Sequence, residues 1–123
     1  MQFSALCYNL LGEEPGATAN YLTTGSWSQA AIKEAKKYCD PNEVANNKDS
    51  KYATIADPSD WKIKNGDAKF FHYCSNETIQ GFAMHKFPFE VVPKGQELVC
   101  DMSSNFCTTE IEWDKYGMIY AGA

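Results

Sequence analysis

The run Phe70-Phe71-His72-Tyr73-Cys74 restricts most strongly how this chain can fold. A strand with one wetted face alternates apolar and polar side chains, and this run does not alternate. Near-continuous apolarity fits a strand covered on both faces, as in a parallel sheet, so Ala68 to Ser75 is read as a buried strand. Asn65-Gly66-Asp67 breaks the chain before it, and Asn76-Glu77-Thr78-Ile79-Gln80-Gly81 opens a polar loop directly after it. Glu97 to Met102 has the same form: Leu98, Val99 and Cys100 run into a single acid, Asp101, and then into Ser103-Ser104-Asn105. In open α/β sheets ligands sit beyond the carboxyl ends of the strands, which places Asp101 to meet a ligand. The plainer alternative is that Asp101 anchors its loop.

The remaining pattern supports an α/β reading. Phe3, Leu6, Cys7, Leu10 and Leu11 recur at helical spacing, and Gly12 follows as a stop. No capping side chain precedes that helix. Ala19 to Thr24 has the tyrosine and threonine content of a short strand. Gly25-Ser26-Trp27-Ser28-Gln29 then leads into a helix through about Tyr38, with Ser26 and Gln29 at capping-box spacing and Ile32, Ala35 and Cys39 as its buried stripe. Glu43 to Asn47 is a further strand candidate, and Asp57-Pro58-Ser59-Asp60 is a turn. Trp61 is expected over the sheet edge or a short helix. Tyr116 to Ala121 reads as a last strand. His72 is read as a packed strand histidine and His85 as a surface one. Strands separated by helical or irregular crossovers give a mostly parallel sheet with flanking helices.

At 123 residues the chain is one domain's worth. A net charge of −5 and the absence of a basic stripe argue against nucleic acid and anionic membranes as partners. No apolar run is long enough to span a bilayer. The five cysteines show no CxxC spacing and read as buried free thiols of a reducing, cytoplasmic compartment, with no metal site. Asn76-Glu77-Thr78 matches a glycosylation sequon, read as coincidental in that compartment. All eleven strongly basic side chains are lysines. A complete enzyme for a carboxylate or phosphate substrate would be expected to carry an arginine clamp.

Three loops at strand ends thus carry candidate chemistry: Gly25-Ser26-Trp27-Ser28, Asn76-Glu77-Thr78 and Asp101 to Asn105. An aromatic ring, a hydroxyl and an acid on one sheet edge suit a flat, basic heteroaromatic ligand. Trp27 would stack on its face, for about 0.5–1.5 kcal/mol beyond area burial. Asp101 would pair with a protonated ring nitrogen, a charge-assisted bond of about 1.5–3 kcal/mol. The alternatives are a packing role for Trp27, a cap for Thr78 and a loop anchor for Asp101.

The segments Ala19-Asn20-Tyr21, Gly25-Ser26-Trp27-Ser28, Ala31 to Lys37, His72 to Ile79, Asp101 to Asn105 and Tyr116 to Ala123 together resemble phosphoserine aminotransferase, of the class V pyridoxal-phosphate-dependent aminotransferases. The resemblance covers nearly the whole chain in the family's order. It implies that residues 1–123 are a central part of the large domain of a fold-type I pyridoxal-phosphate aminotransferase, with the strands ordered Glu43, Ala19, Ala68, Glu97, Met118. It further implies that Trp27 stacks on the pyridine ring of pyridoxal 5'-phosphate, Thr78 bonds near the ring hydroxyl and Asp101 keeps the ring nitrogen protonated. The implied reaction moves an amino group between L-glutamate and 3-phosphohydroxypyruvate, giving phosphoserine and 2-oxoglutarate in serine biosynthesis. The family works as a homodimer.

The family's phosphate-cradling loop is expected before Gln2 and its Schiff-base lysine after Ala123, so no catalytic residue is expected within the chain. Lys115, which precedes the last strand, does not fill that role. The chain alone is expected to be inactive. The alternative is a non-catalytic module that binds cofactor or pairs with another chain through its open Met118–Tyr120 edge.

Overall fold

The computed structural model describes residues 1–122; Ala123, the last residue of the Tyr120-Ala121-Gly122-Ala123 motif, lies outside them. In chain order the elements are α1 (Gln2–Leu10), β1 (Thr18–Thr23), α2 (Ser26–Ala35), β2 (Asn42–Asn46), β3 (Ala68–Cys74), the short strands β4 (Asn76–Glu77) and β5 (Phe82–Ala83), β6 (Glu97–Asp101) and β7 (Met118–Tyr120). The main sheet has five strands in the order β2-β1-β3-β6-β7, and each neighbouring pair is parallel. This is the expected order and class. The strands β4 and β5 form a separate antiparallel hairpin beyond the end of β3.

The alternation of β3 shows why its run is uniformly apolar. Phe70 packs with Tyr21 and Val99 beneath α1 and α2, against Leu6, Cys7, Leu11, Ala31, Ile32 and Ala35. Phe71 and Tyr73 point to the opposite face, with Leu22, Leu98 and Cys100. Among the described residues that second face is covered by loop chain and short 3-10 turns carrying Trp61 and Phe87, not by an α-helix. Trp61 stacks on Phe71 with ring centroids 6.2 Å apart, and Phe87 stacks on Tyr73 at 4.3 Å. Trp61 therefore lies over the sheet face and not its edge. Each such buried ring contributes on the order of 1.5–3 kcal/mol, which lets a loop layer replace a helix.

Several boundaries differ from expectation. The second helix ends at Ala35, because Lys37 and Tyr38 turn back by donating their N–H groups to Glu34 and Ala35 carbonyls at i−3 spacing. Gly12 takes φ +71° after α1, the left-handed stop its position called for. Of the cysteines, all free, Cys7, Cys74 and Cys100 are buried, but Cys39 is half-buried and Cys107 exposed. The exposed Cys107 lies in the loop that follows the Ser103-Ser104-Asn105 turn, where the chain has left the sheet. No helix among the described residues is long and apolar enough to cross a membrane.

Candidate functional site

Because the strands of the main sheet run in one direction, β1, β3, β6 and β7 all deliver their following residues to the same edge. A cleft of about 300 Å³ opens there, lined by the first residues of α1, by Trp27, and by Asp101, Ser103 and Tyr120. Asp101 ends β6 opposite Cys74 on one side and Tyr120 on the other. The residue is 5% exposed, and its Oδ1 accepts the Ser103 N–H at 2.9 Å. One oxygen thus anchors the loop, while the side chain borders the cleft.

The loop behind Asp101 is tied to the end of β3. Ser75 donates its N–H and its hydroxyl to the Asp101 carbonyl, each at 3.0 Å, and Asn76 Nδ2 donates to Ser104 Oγ at 2.8 Å. Ser75 therefore holds the acid's backbone in place, and Asn76 ties down the loop that follows it.

Trp27 sits in the first turn of α2, with 44% of its surface exposed. Its Nε1 donates to Thr78 Oγ1 at 2.9 Å. Trp27 and Asp101 share the cleft wall, whereas Thr78 reaches the site only through the indole.

Ser26 does not cap α2. The N-cap is Gly25, and the Ser28 hydroxyl accepts the Gly25 N–H at 3.1 Å and the Thr24 N–H at 2.8 Å. The residue that sequence reasoning missed is Glu77. It is fully buried, and it accepts the Trp27 N–H at 2.8 Å, the Ser28 N–H at 2.9 Å and the Ser28 hydroxyl at 2.5 Å. Its signal was present: it is the first acid after a run of buried strand residues, within a candidate loop where only Thr78 was singled out.

His72 is fully buried in β3, as read from sequence, and its Nε2 shares a hydrogen bond with Tyr120 Oη at 2.9 Å. Burial pushes its pKa down to about 3, so the ring is neutral. Tyr120, which lines the cleft, has its phenol pushed well above the ordinary range by burial and then by the Asp101 carboxylate nearby. Burial likewise raises the Cys74 thiol, so the cysteine at the end of β3 is a packing group and not a nucleophile. His85 is exposed and lies away from the cleft.

An aromatic plate and a nearly buried carboxylate on one cleft suit a flat ring that carries a basic nitrogen. The residues present therefore fit the ring of a pyridine ligand.

No family model matches the chain. It is 43% identical over 122 residues to phosphoserine aminotransferase 2, chloroplastic, of Arabidopsis thaliana, which covers 99% of this chain and 28% of that protein. It is 41% identical over 123 residues to phosphoserine aminotransferase of Chromobacterium violaceum, covering all of this chain and 33% of that one. A solved structure of pyridoxal-phosphate-bound phosphoserine aminotransferase from Trichomonas vaginalis superposes with a TM-score of 0.84 at 38% identity, over 99% of this chain and 33% of that one.

Five parallel strands with helices packed on them and this carboxyl-edge cleft define the α/β fold of the pyridoxal-phosphate aminotransferases. Within that class the chain is similar to phosphoserine aminotransferases along nearly its whole length. It spans about a third of the length of the relatives it matches.

Proposed function

We propose that this chain forms the cofactor-facing part of the large domain of a phosphoserine aminotransferase. The reaction is amino transfer between L-glutamate and 3-phosphohydroxypyruvate, giving phosphoserine and 2-oxoglutarate in serine biosynthesis. The cofactor is pyridoxal 5'-phosphate, which when bound supplies an electron sink for the negative charge left when the substrate loses its α-proton. One observation carries this reading: Trp27 and Asp101 border a single cleft, in a chain matched along its whole length by phosphoserine aminotransferases.

The residues divide the binding work. Trp27 presents an indole face for the pyridine ring to rest against. Asp101 keeps a proton on the ring nitrogen through a charge-assisted hydrogen bond, because an ionised carboxylate favours the charged pyridinium. Thr78 sets the indole's rotation by accepting its N–H. Tyr120 excludes water from the side of Asp101 facing β7. The free thiols suit a cytoplasmic location, and the exposed Ile79 near the carboxyl edge suits a homodimer.

The test is made in the protein that carries this chain. Pyridoxal 5'-phosphate is added, excess is removed, and the bound cofactor is measured by absorbance, followed by amino transfer from glutamate to 3-phosphohydroxypyruvate. Uptake and turnover that both fall on replacing Asp101 with Asn support the assignment. Wild-type protein that takes up no pyridoxal 5'-phosphate sinks it.

A further inference from the structure

We propose that Glu77 is a positioning residue: its buried carboxylate closes the start of α2 and so holds Trp27 at the rim of the cleft. This rests on the reading that a flat cofactor lies against Trp27, and it extends that reading to a residue that does not touch the cleft.

A helix begins with N–H groups that have no partner within it. In α2 the N-cap is a glycine, which has no side chain to offer. The donors are taken up from across the fold instead. Glu77 Oε2 accepts the Trp27 N–H at 2.8 Å, while Oε1 accepts both the Ser28 N–H at 2.9 Å and the Ser28 hydroxyl at 2.5 Å. Ser28 Oγ accepts the Thr24 and Gly25 N–H groups in its turn. Gln80 completes the set by accepting the Ser26 N–H at 3.0 Å and donating to Ser26 Oγ at 2.7 Å. Every partner of Glu77 is a donor, the arrangement an ionised carboxylate requires, and its charge lies at the positive end of the helix dipole.

The geometry singles out Trp27. Glu77 takes the backbone N–H of Trp27, and the next residue, Thr78, takes its indole N–H. One short segment thus grips the tryptophan at both its main chain and its ring. The hairpin that carries the segment is fixed by the pairing of Glu77 with Phe82 and of Asn76 with Ala83. Gly25 is what lets the carboxylate in: a Cβ there would lie 2.6 Å from Glu77 Cδ and 2.6 Å from Gln80 Oε1. Any other residue at this position would push the carboxylate away from the helix start.

The experiment compares three variants with wild type in the protein that carries this chain. Glu77→Gln keeps the size but turns an NH2 group toward donors. Gly25→Ala displaces the carboxylate without changing it. Val44→Ala, in the buried part of β2 away from the cleft, loosens the fold without touching α2. Two quantities are read: hydrogen exchange at the Trp27 and Ser28 amides, and the dissociation constant for pyridoxal 5'-phosphate from quenching of Trp27 emission. In Glu77→Gln and Gly25→Ala both should rise about tenfold or more, the loss of one charge-assisted hydrogen bond, while β3 and β6 amides keep wild-type rates. Val44→Ala should lower the melting temperature and leave both quantities unchanged.

If Glu77→Gln does not fold, Gly25→Ala carries the comparison. Wild-type exchange at Trp27 in the folded variants overturns the proposal, as does a freed Trp27 amide with unchanged cofactor affinity. Wild-type protein that binds no pyridoxal 5'-phosphate overturns the functional reading, and Glu77's hold on Trp27 is then decided by exchange alone.

Discussion

Trp27 Nε1 donates to Thr78 Oγ1 at 2.9 Å across 51 residues of sequence, joining the loop after β1 to the loop after β3. The bond sets the rotation of an indole that is otherwise half open to solvent. Two of the three loops at the carboxyl edge thereby become one surface, and Asp101 on the third faces the same cleft.

Thr78→Val keeps the side chain's shape and removes the acceptor. The bond is exposed, so global stability should change by less than about 1 kcal/mol. Proton NMR should show the Trp27 indole N–H shifted and exchanging faster. An indole resonance identical to wild type would mean that Thr78 does not orient the ring.

Asp101→Asn retains a carbonyl oxygen for the Ser103 N–H, so the melting temperature should hold nearly constant. Affinity for pyridoxal 5'-phosphate should fall by about ten- to a hundredfold, corresponding to about 1.5–3 kcal/mol for a charge-assisted bond. The pyridine absorbance of the bound form should also lose its protonated character. Equilibrium dialysis and absorbance spectra check both.

His72 makes stability depend on acid. Burial lowers its folded-state pKa from 6.5 to about 3, so below pH 6.5 the unfolded chain takes up a proton that the folded one refuses. Stability from this residue is complete above that pH and is lost toward pH 3 at about 1.4 kcal/mol per pH unit. His72→Phe should flatten this slope, although it also leaves Tyr120 Oη without its partner. Urea unfolding at pH 7 and pH 5 should give a difference smaller in the variant than in wild type by about 2 kcal/mol.

Phe87→Ala tests the loop layer over the second sheet face. Phe87 packs on Trp61, Phe71, Tyr73 and Phe89, so its removal should cost about 3–5 kcal/mol. Denaturant unfolding measures the loss. A cost below about 1 kcal/mol would show that the layer is not part of the core.

The fold was largely legible. The uninterrupted apolar runs of β3 and β6 identify strands buried on both faces, since no half-wetted strand tolerates them, and the polar residues that follow mark where they end. The periodicity of α1 and its Gly12 stop were equally plain. The order of the strands came from the family resemblance, because parallel pairing leaves no trace in local pattern. Trp27, Thr78 and Asp101 stood out as an aromatic ring, a hydroxyl and an acid after strands. Their shared sheet edge was legible too, but the bond from the Trp27 indole to Thr78 was not, since it joins loops separated by a long stretch of chain.

By itself, the sequence determined where the buried strands lie, that they share an α/β sheet, and which polar residues follow them, because burial and turn chemistry are written in neighbouring side chains. The tertiary structure alone decided that Glu77 and not Ser26 satisfies the start of α2, that Trp61 and Phe87 replace a helix over the second face, and that Thr78 holds the indole rather than lining the cleft. These outcomes rest on hydrogen bonds and ring contacts between residues far apart in sequence. A donor's partner and a ring's cover are properties of the folded neighbourhood, and no local pattern contains them.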